Sequence, residues 1–212
     1  MNAFLQQHAK LKSQILEGRY VTYPKIEGLL NDFSPLHVGT SANGVPINAI
    51  KIGNGPIKIL MWSQMHGNES TSTKGIMDVM YFLKANTAVL APFTIQLIPM
   101  LNPDGAAAYT RVNANAIDLN RDAQQQTQPE TLALFEVYDA FQPDYCFNLH
   151  DQRTIFGVNG IPCMLSFLSP AADVDKSITK ARAQAMGIIG HMNQMLQHHM
   201  PNQIGRYDDT YN

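Results

Sequence analysis

The sequence predicts an α/β domain with a mixed β-sheet flanked by helices, and three observations carry that prediction. The first is alternation: apolar strand-like runs (Ile57 to Trp62, Phe93 to Met100, Asp144 to Leu149) are separated by segments of helical periodicity. The second is an early hairpin, two β-like runs joined by Ser41-Ala42-Asn43-Gly44, whose Asn-Gly pair is a strong two-strand turn signal. It makes the sheet mixed rather than purely parallel. The third is the placement of polar residues. His66, Glu69 and His150 each follow the end of an apolar run, and sites in open α/β sheets gather beyond the carboxyl ends of strands. With 212 residues, 45% of them hydrophobic, one domain spanning 1–212 is expected.

Leu5, Leu11, Ile15 and Leu16 recur at helical spacing until Gly18, predicting a first helix from Phe4 to Glu17. Lys25 to Leu30 reads as a short helix before the Asp32 to Pro35 turn. Leu36 to Thr40 and Val45 to Ile52 are the hairpin strands. Asn54-Gly55-Pro56 turns the chain into the strand Ile57 to Trp62, and a helix Thr73 to Ala85 follows the loop carrying His66 and Glu69. Phe93 to Met100 is the next strand, closed by the turn residues Asn102-Pro103-Asp104-Gly105. Ala106 to Asn115 reads as an ordered loop and Ile117 to Asn120 as a short extended piece. Pro129 suits the first position of a helix that Pro143 closes. Asp144 to Leu149 reads as a buried strand and Ile161 to Leu168 as a further one. A long helix is expected to begin at Asp173 and to end before Pro201, with Val174, Ile178, Ala185, Ile188, Met192 and Leu196 on one face.

Composition narrows the function classes. The net charge is -2 and no Lys/Arg cluster stands on a predicted helix, so no nucleic-acid partner is expected. The N-terminus lacks an apolar stretch with a cleavage site, and no run approaches the length of a membrane span. Neither a membrane partner nor a secretory route is expected, and the cytoplasm is the expected location. Cys146 and Cys163 lie in apolar runs and read as buried free thiols. His37, His191, His198 and His199 read as solvated.

The candidate chemistry lies in the polar residues at the strand ends. A catalytic zinc ion keeps three protein ligands and an open fourth position, and two imidazoles with one carboxylate are a known set. His66, Glu69 and His150 supply it, implying one Zn2+ ion as cofactor. The ordinary alternative for the first pair is a solvated turn in which Ser70 or Thr71 caps the next helix. Asp118 is a candidate acceptor for the second ring N–H of a ligating His. Arg111 and the pair Asn120-Arg121 lie nearby in sequence, and an Arg fork suits a carboxylate or a developing oxyanion.

The order of these motifs, H-x-x-E (His66, Glu69), N-P-D-G (Asn102 to Gly105), Arg111, D-x-N-R (Asp118 to Arg121), and a His at a strand end (His150), resembles the zinc carboxypeptidases, the carboxypeptidase A-like metallopeptidases (M14). The resemblance covers about Ile57 to Asp151 and implies that family's phosphorylase/hydrolase-like fold. It further implies zinc at His66, Glu69 and His150, oxyanion stabilisation by Arg111, and capture of a substrate's terminal carboxylate by Asn120 and Arg121. Asp118 would orient His66. The H-G-N-E form is closer to the bacterial and cytosolic branches than to the digestive one, which carries Arg where this chain has Asn68. The implied activity is metallocarboxypeptidase hydrolysis of a C-terminal peptide bond, with a peptide or small acyl-amino-acid substrate. An aspartoacylase or succinylglutamate desuccinylase-like amidohydrolase is the neighbouring alternative. The family's general base is a Glu on a later strand, and no Glu follows Glu136. The sequence therefore reads as C-terminally incomplete, with Arg206 to Asn212 leading into further domain; a zinc-binding pseudoenzyme is the third reading. Asp151 reads as structural rather than as a substitute base.

Overall fold

Five apolar runs become the strands β1 (Leu36–Thr40), β2 (Pro46–Gly53), β3 (Ile57–Ser63), β4 (Phe93–Ile98) and β5 (Tyr145–Leu149). They form one sheet in the order β1-β2-β4-β3-β5. The β1/β2 and β2/β4 pairs are antiparallel, whereas β3 runs parallel to both β4 and β5. The sheet is therefore mixed, as expected. The carboxyl ends of β3, β4 and β5 share one edge, from which the loops carrying His66, Asn102 and His150 leave. The computed structural model describes residues 2–12, 16–151, 157–158 and 160–206. These divide into two compact units, Asn2–Asp151 and Gln152–Asn212.

In the first unit, helices α1 (Asn2–Leu11), α2 (Tyr23–Leu30), α3 (Thr71–Ala85), α4 (Pro103–Ala108), α5 (Leu119–Asp122) and α6 (Pro129–Phe141) accompany the sheet. Helix α3 buries Thr73, Ile76, Met77, Met80 and Leu83, one helical stripe. Ile76, Met77, Met80 and Leu83 of this stripe and Ile26 and Leu30 of α2 pack with Ile50, Ile95 and Leu97 of the sheet in one core. The other face buries Ile47, Leu60 and Ile98 against Ala133, Leu134, Val137 and Phe141 of α6. Successive strand residues point to opposite faces, so Leu97 and Ile98 join different cores and the sheet is covered on both sides.

Several elements differ from expectation. Residues 13–15 of the predicted first helix lie outside the described residues, and α1 ends at Leu11. The Asn-Pro-Asp-Gly stretch starts a helix instead of only turning: Asn102 Oδ1 accepts the Gly105 N–H at 2.8 Å and Pro103 occupies the first turn. The predicted loop from Ala106 thus begins inside α4. Ile117 to Asn120 is not extended throughout, because Asp118 caps α5 by accepting the Asn120 N–H at 2.9 Å. Strand β5 is not buried as expected; among the described residues it is an edge strand paired with β3, and Cys146 and Asn148 are exposed.

Strands β6 (Gly157–Val158) and β7 (Ile161–Pro162) form a small hairpin, and β8 (Leu165–Phe167) pairs in parallel with β9 (Ile204–Arg206). The single strand expected over Ile161 to Leu168 is thus split. Helix α7 (Lys180–Leu196) begins seven residues later than Asp173, because Asp173 and Asp175 bind Ser177 in a local turn and Lys176 takes a left-handed φ of 55°. Thr179 then caps the helix, accepting the Arg182 N–H at 3.2 Å. Val174 and Ile178 fall outside the helix and are exposed. Residues 207–212 of the expected lead into further domain lie outside the described residues.

Candidate metal centre

The site is set by how β3 ends. Gln64 has a left-handed φ of 51°, a conformation that costs a non-glycine residue energy and needs fixing from outside. Its buried side chain supplies that: Nε2 donates to the carbonyls of Val21 and Gly67 at 2.9 and 2.8 Å, and Oε1 accepts from the Thr73 hydroxyl at 2.7 Å. The turn buries Met65 in the core and leaves His66 2% exposed at the strand edge. The neighbouring loop locks against this one, with Leu101 and Asn102 N–H groups donating to the Ser63 and Gln64 carbonyls and Asn102 Nδ2 donating to Met65 O.

His66, Glu69 and His150 meet there. His66 Nδ1 lies 2.9 Å from Glu69 Oε1, His150 Nδ1 lies 2.8 Å from Glu69 Oε2, and the two Nδ1 atoms are 3.1 Å apart. One candidate ligand atom from each of the three residues lies within 4.8 Å of the others. A tetrahedral zinc ion with Zn–N of about 2.05 Å places ligand nitrogens about 3.3 Å apart, so the donor set fits such an ion. Burial on its own raises the Glu69 carboxyl, but hydrogen bonds from His150 and His66, with their charge, outweigh it and hold the group at about 2.

His66 Nε2 lies 3.2 Å from Asp118 Oδ1. Burial works against ionisation of Asp118, yet the hydrogen bond and charge of Arg111 and the nearby His66 keep its carboxyl below the usual value. Asp118 thus gives Nε2 a carboxylate acceptor, which would leave Nδ1 to face an ion once one is bound. Arg111 Nε donates to Asp118 Oδ2 at 2.9 Å, and its Nη1 lies 3.6 Å from Glu69 Oε1. The structure thus gathers His66, Glu69, His150, Asp118 and Arg111. Asn120 and Arg121 lie on α5, two and three residues after Asp118, and Arg121 is exposed. Asp104 and Asp122 are engaged elsewhere, Asp104 with the Asn43 N–H and Asp122 with Thr127 and Gln128.

Sequence reading missed the buried scaffold behind these residues. Glu130, fully buried, accepts the Ala42 N–H at 2.9 Å and Asn113 Nδ2 at 3.0 Å. Asn113 Oδ1 in turn accepts the N–H groups of Asn115 and Ile117, shaping the loop between Arg111 and Asp118. A charged residue one position after a helix-opening Pro129 was the available signal. Asp122 ties the end of α5 to the start of α6. Burial raises its carboxyl, but the Thr127 hydroxyl and the Thr127 and Gln128 N–H groups outweigh it, giving a net depression. A depressed group stabilises the fold above its ordinary value and loses that contribution as pH falls. Asp122→Asn is therefore expected to lower stability by about 2 kcal/mol at neutral pH and by less near pH ~3. Urea midpoints of both proteins at the two pH values check this, and an equal difference at both would refute it.

A mixed sheet with two imidazoles and a carboxylate converging at its parallel strand ends presents the donor set of a single metal site. Residues 31–145 match the family model described as zinc carboxypeptidase, and the chain belongs to that family. Carboxypeptidase SOL1 of Arabidopsis thaliana is 26% identical over 162 residues, 62% of this chain and 33% of that protein. The metallo-carboxypeptidase of Burkholderia cenocepacia has a similar structure, with a TM-score of 0.68, 17% identity, and coverage of 89% of this chain and 54% of that one. Carboxypeptidase A of Helicoverpa armigera gives a TM-score of 0.70 at 14% identity, covering 97% of this chain and 64% of that one. These two likenesses are of fold. The chain spans about one third of the curated relative and less than two thirds of either structure.

Proposed function

We propose that His66, Glu69 and His150 hold one zinc ion and that the centre serves metallocarboxypeptidase hydrolysis of the C-terminal bond of a peptide. The observation that carries this is the convergence of two imidazole Nδ1 atoms on the Glu69 carboxylate, with the second nitrogen of His66 held by Asp118. When bound, zinc polarises the scissile carbonyl and acidifies a water at its open position. Arg111, whose Nε is anchored on Asp118, has its remaining guanidinium N–H groups to offer a developing oxyanion. Asn120 and Arg121 bind the terminal carboxylate of the substrate; an exposed guanidinium there supports that role. A cytoplasmic setting belongs to the same proposal, supported by two free cysteines and by the lack, among the described residues, of a helix able to cross a membrane.

The test is to incubate the zinc-loaded protein with an N-blocked dipeptide, its C-terminally amidated counterpart and an N-acyl amino acid. Release of the terminal amino acid from the free-carboxylate peptide alone, abolished by chelation, is the expected result. Cleavage of only the N-acyl amino acid would favour the amidohydrolase reading. A second reading, zinc binding without hydrolysis, is favoured by one observation: both oxygens of Asp151, the carboxylate beside the third ligand, are taken up by backbone N–H groups. One equivalent of zinc with no turnover of any of the three substrates would establish it.

A further inference from the structure

We infer that Asp151 is a positioning residue for His150, clasping the strand end that carries this ligand to the helix that follows the other two. The inference rests on the zinc reading. Asp151 Oδ2 accepts the Thr71 N–H at 3.0 Å and Oδ1 accepts the Ser72 N–H at 3.1 Å. These are first-turn amides of α3, which lack partners within the helix. Ser70, the residue in the capping position, does not cap with its side chain; its hydroxyl donates to Arg19 O at 2.7 Å instead. The cap is supplied by a residue eighty positions away, and its negative charge suits the positive end of the helix.

His150 needs such support more than His66 does. The ring of His66 is 2% exposed and braced at Nε2 by Asp118. The ring of His150 is 30% exposed, and among the described residues its hydrogen bonds run from Nδ1 to Glu69 and His66, with none given to Nε2. Its strand, β5, is paired through Leu149 with β3, and among the described residues it lies at the sheet edge. The backbone of His150 is therefore held just past the last ladder pair by Asp151, whose own N–H also lies 3.3 Å from Glu69 Oε2. One residue thus joins the third ligand, the second ligand and the first turn of α3.

Zinc chloride titrated against a chromophoric chelator in the presence of the full chain tests this. Asp151→Ala is expected to raise the zinc dissociation constant about tenfold, the range for residues that orient ligands, and Asp151→Asn, which keeps one acceptor oxygen, by less. Asp144→Ala is the control. Asp144 Oδ2 accepts the Lys58 N–H at 2.8 Å at the opposite end of β5, so its loss lowers the melting temperature without changing zinc affinity. Unaltered zinc affinity in Asp151→Ala, or in Asp151→Asn if the alanine variant does not fold, overturns the inference and leaves the zinc reading standing. A wild-type chain that binds no zinc overturns both.

Discussion

His66→Ala is expected to weaken zinc binding by about two to three orders of magnitude. A protein zinc site of four ligands contributes about 10–16 kcal/mol, or about 2.5–4 kcal/mol for each ligand, and each 1.4 kcal/mol is about tenfold. His66 is the best-braced ligand of the three, 2% exposed and held by Asp118 at one nitrogen while the other faces Glu69. Its loss also frees the Glu69 carboxylate from one of two imidazole partners. Asp118→Asn should cost less, about tenfold, because the ligand remains and only its orientation is loosened. Calorimetric titration of zinc into the three proteins measures this. A His66→Ala variant binding one equivalent as tightly as the wild type would rule out the assigned ligand set.

Gly67→Ala is the second large effect, and it comes from packing. A Cβ at this position would lie 1.9 Å from the carbonyl carbon of Gly105 and 2.3 Å from both Ala106 N and Gly105 O. All three are backbone atoms of α4, which is pinned by the buried Asn102 cap. Neither loop can yield without breaking the bonds that Asn102 makes to Gly105 and Met65. Overpacking of this kind costs about 3 kcal/mol, a fall of about 6–12 °C in melting temperature for a domain this size. Zinc affinity should fall with it, because Gly67 sits between two ligands. Gly75→Ala, with open space on α3, should instead raise stability by about 0.5–1 kcal/mol. Equal melting temperatures for Gly67→Ala and wild type, by circular dichroism, would show that the two loops are not packed as described.

Much of the fold was legible because it rests on local signals. The hairpin at Asn43-Gly44 follows from one turn preference, and β3, β4 and α3 follow from apolar runs of the right length and period. The misread elements are those in which a side chain redirected the backbone. Asn102 turned a loop into α4, Asp118 turned an extended piece into α5, and Asp173 with Asp175 delayed α7. Asn and Asp offer the backbone alternative hydrogen bonds, and periodicity does not register which alternative is taken. The exposure of β5 was missed for another reason. Its apolar run is what a central parallel strand would show, while its position at the edge depends on which strands pair.

By itself the sequence determined the order of elements and the presence of two imidazoles and a carboxylate past strand ends, because residue type, short spacing and hydrophobic period are local properties of a chain. Tertiary structure alone decided that His150 meets Glu69 across eighty-one positions, that Glu130 supports the Arg111 loop, and that Asp151 caps α3. Hydrogen bonds between distant segments have no characteristic spacing; they arise only once parallel strand pairing has brought the carboxyl ends of β3, β4 and β5 to one edge.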